Sequence, residues 1–236
     1  MHIDTDLILH IDTASERGLV MLASDEKIIA QKLNFEPMHH ASWLHPAIDA
    51  VMHEAGVKST QVKAVAVANG PGSYTGLRVG LAAAKGLCFA WNLPLITLCS
   101  LKIMAKAVCL IRDFNMEQMG SAASIAVLVD ARRMEVFYGV FNTSTLGVEE
   151  GPAAREVNNE FLLNFYSKGQ LLCTGNGCAK WLNLVMHEAI TYVELPPTEV
   201  AFAKLSSEAF TKKDYADLPY SEPFYIKPFY STAKRS

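Results

Sequence analysis

Residues 7–35 read LILHIDTASERGLVMLASDEKIIAQKLNF, and residues 124–151 read SIAVLVDARRMEVFYGVFNTSTLGVEEG. Each stretch opens with an apolar run ending in an aspartate, Asp12 in the first and Asp130 in the second. A small residue, a polar turn and two further strand-like runs follow in both. Short β-rich runs separated by polar turns predict consecutive antiparallel strands. The two aspartates lie half a chain apart, far longer than any solenoid repeat, so the pattern predicts a doubled domain.

Outward from each opening, helices and strands alternate. HHASWLHPAIDAVMHEAG (39–56) carries apolar residues at 44, 47, 48, 51 and 55, the spacing of an amphipathic helix, and Gly56 is a natural stop. Strand 62–69, helix 73–91, strand 93–98 and helix 100–112 follow. The second half reads as helix 158–167, strand 170–175, helix 177–189, strand 190–195 and helix 198–211. Antiparallel strands followed by βαβ units give mixed sheets with helices on their faces. The predicted class is therefore α/β, with two tandem βββαβα lobes of the actin-like ATPase (ASKHA, ribonuclease-H-like) architecture. The predicted lobes are 1–113 and 114–236, with FNMEQMGSAAS (114–124) as hinge. Prolines at 219, 223 and 228 predict an extended tail from about residue 219.

Composition narrows the function classes. The 236 residues are 50% hydrophobic and 19% charged with a formal net charge of −3, which argues against a surface that grips nucleic acid unaided. Five cysteines without CxxC spacing fit free thiols in a reducing cytosol better than disulfides or zinc. Acidic residues stand where a signal peptide wants Lys or Arg, and no run of 18 apolar residues occurs, so a cytoplasmic, membrane-free protein is expected.

The stretch ANGPGSYTGLRVGLAAAKGL (68–87) runs from a strand through a Gly-rich turn into a helix, the setting of a phosphate site. Its spelling fits no phosphate motif. Leu77 follows Gly76 where a Walker loop needs lysine, and Gly70, Gly72 and Gly76 are spaced GxGxxxG. Ser73 lacks the flanking glycines of a nucleophile elbow. Asp12 and Asp130 occupy the places where an actin-like fold carries aspartates near phosphate and metal. With Thr13, Gly70 and Gly72 they form the candidate nucleotide-binding set. Against this, TASERG after Asp12 lacks the early glycine that lets amides close on a phosphate, and both aspartates are equally suited to cap turns by Asx hydrogen bonds.

IDTAS (11–15), NGPGSYTGLRVGLAAAKGL (69–87), LPLITLCSLKIMA (93–105), VDARRMEVFYGVF (129–141) and EPFYIKP (222–228) occur in this order. Together they resemble the TsaB (YeaZ) family of tRNA threonylcarbamoyladenosine biosynthesis proteins over nearly the whole chain. Lys227 departs from that family's arginine, replacing a planar bidentate donor with a point charge. The resemblance implies a non-catalytic scaffold supporting the paralogue TsaD, which transfers a threonylcarbamoyl group to the adenosine beside the anticodon. It implies a heterodimer with TsaD, a TsaE-type ATPase in the complex, a homodimer when alone, and tRNA reached through the complex. It implies no cofactor for this chain alone and leaves ATP with magnesium open for the assembly. The alternative is a small ATP-hydrolysing or kinase-like enzyme of the same fold.

The paralogue's metal-binding HxxxH falls here on Ser100 and Met104, neither a plausible hard-metal ligand, so no metal and no catalytic residue is expected. His39, His40, His45 and His53 share no helical face suited to a metal and read better as a surface toward a partner. Gly76 and Gly80, extended by Ala83 and Ala84, form a face for close helix approach, with Ser73 as N-cap. Tyr74, Arg78, Leu81 and Lys85 line the other side. The expected partner face comprises His40, Trp43 and Leu44 of the first helix with Tyr74, Leu77, Arg78, Gly80, Leu81 and Lys85 of the second.

Overall fold

The computed structural model describes residues 6–36, 39–111 and 123–227. Strands β1 (Leu7–Asp12), β2 (Gly18–Ser24) and β3 (Lys27–Asn34) form an antiparallel meander. Helix α1 (His40–Ala55) leads to β4 (Val62–Gly70), which pairs parallel with β1. Helix α2 (Tyr74–Trp91) then leads to β5 (Leu95–Cys99), parallel to β4, and α3 (Ser100–Cys109) follows directly. The first sheet has the order β3-β2-β1-β4-β5.

The second half repeats the plan. Its meander is β6 (Ser124–Asp130), β7 (Glu135–Asn142) and β8 (Val148–Glu156). A short α4 (Leu163–Tyr166), β9 (Leu171–Thr174), a short α5 (Cys178–Leu182), β10 (Ile190–Tyr192) and α6 (Glu199–Lys212) complete it. The order is β10-β9-β6-β7-β8, the first sheet's order read from the other edge. Among the described residues, no helix is long and apolar enough to cross a membrane. The predicted hinge lies, but for its last two residues, outside the described part.

Strand alternation sends the core to both faces of the first sheet. Leu7, Leu9 and Ile11 pack with Leu44, Ile48 and Val51 of α1, and with Leu81, Ala84 and Cys88 of α2. Ile8, Met21 and Ala66 face the other way, onto Ile103 of α3 and Phe202 and Leu205 of α6. Helix α3 also buries Leu101, Ala105 and Val108 against Ile125, Val127 and Phe141 of the second sheet. The pair α3 and α6 thus forms a shared layer between the sheets. Sequence reading placed helix 198–211 with the second half; its packing is on the first sheet, because Ala201, Phe202, Leu205 and Ala209 bury there. His10 joins the layers, with Nε2 2.5 Å from Ser206 Oγ and its ring edge-on to Phe202.

The predicted helices 158–167 and 177–189 shrink to α4 and α5, of 4 and 5 residues. Leu162 enters the left-handed region at φ 60°, which starts α4 late, and α5 stops at Asn183. All five cysteines are free.

Candidate functional site

The Gly-rich turn is shaped by the first hairpin. A Cβ on Gly72 would collide with the Ala14 carbonyl, one on Gly76 with the Thr13 carbonyl, and one on Gly80 with Thr13 Oγ1. Hydrogen bonds fasten the same contact: Ser73 N donates to Ala14 O (2.7 Å) and Thr13 Oγ1 donates to Gly76 O (2.7 Å). Ser73 Oγ accepts from Gly76 N as the expected N-cap. The small face of α2 therefore receives the β1–β2 turn of its own lobe. Gly70, at φ 120°, lies under the Phe224 carbonyl.

The two aspartates hold equivalent turns. Asp12 Oδ1 accepts from Ala14 N (2.8 Å), and Asp130 Oδ1 accepts from Arg132 N (2.7 Å), the Asx bond in both lobes. Their surroundings differ. Burial pushes the Asp12 carboxyl up to about 6, while its bond from Ala14 and the charge of Arg17 oppose this. Asp130 is exposed, and Lys180, 2.8 Å away, holds it below the usual carboxylate range.

Asp12 stands on the wall of an interlobe cleft of about 590 Å³. Ser15 and Arg17 continue that wall, with Leu33 and Phe35 at the end of β3. Ser100 and Met104, one helical turn apart on α3, line the same cleft, where the resemblance places the paralogue's histidines. Ser100 Oγ and Glu199 Oε2 are buried without a hydrogen-bond partner among the described residues. The other Glu199 oxygen pairs with Arg17. Among the described residues, no three His, Cys, Asp or Glu come together to hold a metal ion. Sequence reading missed Arg17, Glu199 and Phe35. Glu199 could not be found from its neighbours, because its partner lies at the other end of the chain.

The expected partner face divides. Leu44, Leu77, Gly80 and Leu81 are buried in the first lobe, a correction forced by their packing on β1 and the β1–β2 turn, although Leu44 still lines the outer groove between α1 and α2. His40 is also buried: its Nε2 donates to Ser15 O and its Nδ1 accepts from Asn34 Nδ2, each at 3.0 Å, fixing the start of α1. Trp43 is half-buried, its ring against Gly18. Tyr74 and Lys85 serve the tail. Tyr225 stacks on Tyr74 at 4.8 Å between centroids, and Lys85 Nζ donates to the Pro219 and Ser221 carbonyls at 3.0 Å each. Arg78 lies over the Tyr74 ring, 5.2 Å from its centroid. Phe224 N donates to Asn69 O (2.8 Å), and Lys227 pairs with Glu135 of the second lobe.

What α1 and α2 leave outward is a groove lined by Ala41, Leu44, His45, Val79, Ala82, Ala83, Gly86 and Leu87, and beside it Phe89 on α2 is 83% exposed. The spacing of Ala82, Gly86 and Phe89 was a helical signal of this face, but none of the three was singled out.

Two βββαβα lobes, each opening on an Asx-turned aspartate hairpin and sharing a helical layer, define the actin-like ATPase (ASKHA) class. A family model described as TsaD, tRNA N6-adenosine threonylcarbamoyltransferase, matches residues 35–191. The tRNA threonylcarbamoyladenosine biosynthesis protein TsaB of Escherichia coli is 25% identical over 228 residues, spanning 93% of this chain and 94% of the relative. TsaB of Haemophilus influenzae is 34% identical over 132 residues, 56% of this chain and 52% of the relative. The solved structure of YeaZ from Pseudomonas aeruginosa superposes with a TM-score of 0.74 at 22% identity, covering 93% of this chain and 99% of that one. The chain belongs to the family that the TsaD model describes and, within it, to the TsaB (YeaZ) branch.

Proposed function

We propose that this chain is a non-catalytic, cytoplasmic subunit of the machinery that makes threonylcarbamoyladenosine in tRNA. It binds a TsaD-type transferase and supports its activity, pairs with itself when alone, and meets tRNA and a TsaE-type ATPase through the complex. The observation that carries the reading is the outer face of α1 and α2: a largely apolar groove of small and aliphatic side chains with an exposed Phe89 beside it. An exposed aromatic next to a largely apolar groove suits an anchor that is desolvated on association. The glycines of residues 70–80 support it indirectly. They accommodate this chain's own hairpin and tail, and so do not need a phosphate to explain them. Ser100 and Met104 offer no metal-binding pair to carry transfer chemistry.

The test mixes the purified protein with its TsaD counterpart and measures association and tRNA modification. The protein alone gives no transfer, the mixture does, and Phe89→Asp weakens association by about tenfold or more, the scale of a lost anchor. Equal affinity of Phe89→Asp and wild type would move the interface elsewhere. Transfer by the purified chain alone, lost in Asp12→Ala, would replace the scaffold with an enzyme.

A further inference from the structure

The interlobe cleft keeps a cavity of ligand size. Of the amides in the β1–β2 turn beside it, Ala14 N is bound to Asp12 and Arg17 N to Ser15 Oγ. Among the described residues, the cleft's charges are Asp12, Glu16 and Glu199 against the single cation Arg17, which Glu199 already engages. A phosphate would therefore meet carboxylates without a free cation among the described lining residues to hold it. Much of the remaining wall is apolar: Leu19, Leu33 and Phe35 from the first sheet, Ile103 and Met104 from α3, and Leu195 before α6.

Two side chains on this wall point to a ligand. Ser100 is 4% exposed and Glu199 is 6% exposed, and each has an oxygen with no partner among the described residues. A native fold rarely leaves such groups unpaired, and each is costly unless something completes it. Both can accept a hydrogen bond, as can the Asp12 oxygen not used by Ala14.

We infer that the cleft between the lobes binds a small apolar molecule bearing a cationic amine, held by Asp12 and Glu199 at its head and by Leu33, Phe35 and Met104 along its body. The inference is independent of the scaffold reading, since the cleft residues lie apart from the α1–α2 groove residues.

The probes are tryptamine, its anionic counterpart indole-3-acetate, and ATP, titrated calorimetrically into the full chain. Tryptamine binds at a single saturable site, and neither anion binds. Asp12→Asn weakens tryptamine by about tenfold, the size expected for losing one charged contact. Met104→Trp fills the cavity and abolishes binding. Phe35 is 71% exposed, so Phe35→Ala removes part of the wall without disturbing the core and also weakens binding, which keeps the test decisive if Met104→Trp misfolds. The inference fails if tryptamine shows no saturation, if indole-3-acetate or ATP binds as tightly, or if Asp12→Asn and Phe35→Ala leave the affinity unchanged. Association of the Asp12→Asn variant with the transferase stays at the wild-type value, so loss of the ligand site and loss of the scaffold role are read separately.

Discussion

The two lobes share one strand order yet solve the problem of covering a sheet differently. The first lays α1 and α2, of 16 and 18 residues, across its outer face and fills the contact with Leu, Ile, Val and Ala. The second has only α4 and α5 in the corresponding places, and its outer face is closed by aromatic bulk. Phe161 meets Tyr138 and Trp181 edge-on at 5.1 and 5.7 Å, and Tyr166 adds a fourth side chain, tilted against Trp181. Long amphipathic helices spread burial over many small contributions; short ones concentrate it in a few rings. The first lobe thereby keeps a long outer helical face, while the second lobe gives most of its outer face to its own stability.

The difference predicts where each lobe is fragile. Trp181 is fully buried at the centre of the aromatic cluster, so Trp181→Ala should cost about 3–5 kcal/mol in urea unfolding. The loss should fall on the second lobe first, read as hydrogen exchange in β6 and β9 rising ahead of β1 and β4. Uniform loss of protection would show that the shared helical layer makes the lobes one cooperative unit.

The first lobe breaks by the opposite change. Gly80 has no room beside Thr13, so Gly80→Leu should destabilise by about 1–3 kcal/mol through overpacking. Gly86, with open space where its Cβ would stand, should take alanine with no loss of stability. Equal effects at Gly80 and Gly86 would mean that α2 does not sit on the β1–β2 turn.

The tail ties the lobes together, and its contacts sharpen the comparison further. Lys85→Glu should free residues 219–221 from α2 and cost about 1 kcal/mol, read as faster proteolysis after Lys213 with the sheets intact. Slower transferase binding with an unchanged proteolysis pattern would instead make Lys85 a partner contact.

The architecture was legible because strand alternation and the repeated aspartate hairpin are local signals. Asp12 and Asp130 sit at the same turn position, as the duplicated pattern implied. The length of the second-lobe helices was not legible, since FLLNFY and CAKWLNLVM both have helical apolar spacing and nothing local marks how soon each ends. The burial of Leu77, Gly80 and Leu81 within their own lobe was not legible for a related reason. Glycine spacing in GPGSYTGLRVG marks close approach but not what approaches, and the answer was the turn some sixty residues earlier. Lys85 read as part of the partner face because its acceptors are backbone carbonyls of a distant tail.

The smallest expected effect tests the aspartates, where the lobes are most alike in geometry and most different in electrostatics. In Asp12 the folded carboxyl titrates at about 6, above its unfolded value, so the folded state binds a proton that the unfolded state refuses between about 6 and 3.8. Stability therefore rises as pH falls through that window, and ionised Asp12 is a cost at pH 7. Asp130 has the opposite sign: its ion pair with Lys180 contributes above the unfolded carboxylate range and is lost on acidification. His10 must be separated from both. Burial lowers it to about 3, so the unfolded chain takes up a proton below about 6.5 that the folded chain refuses, and stability falls with pH. The pH curve of wild type alone mixes these terms; differences between variants do not. Asn at either site keeps the acceptor oxygen of the Asx turn. Asp12→Asn should then stabilise by about 1 kcal/mol at pH 7, with the gain vanishing near pH 4, because the half-buried carboxyl no longer carries charge there. Asp130→Asn should lose less than about 1 kcal/mol at pH 7, as an exposed ion pair does. Melting at pH 7 and pH 4 for wild type and both variants reads the two signs. If both substitutions move stability the same way at pH 7, the two hairpins share an electrostatic role as well as a turn, and the asymmetry between the lobes is confined to their outer faces.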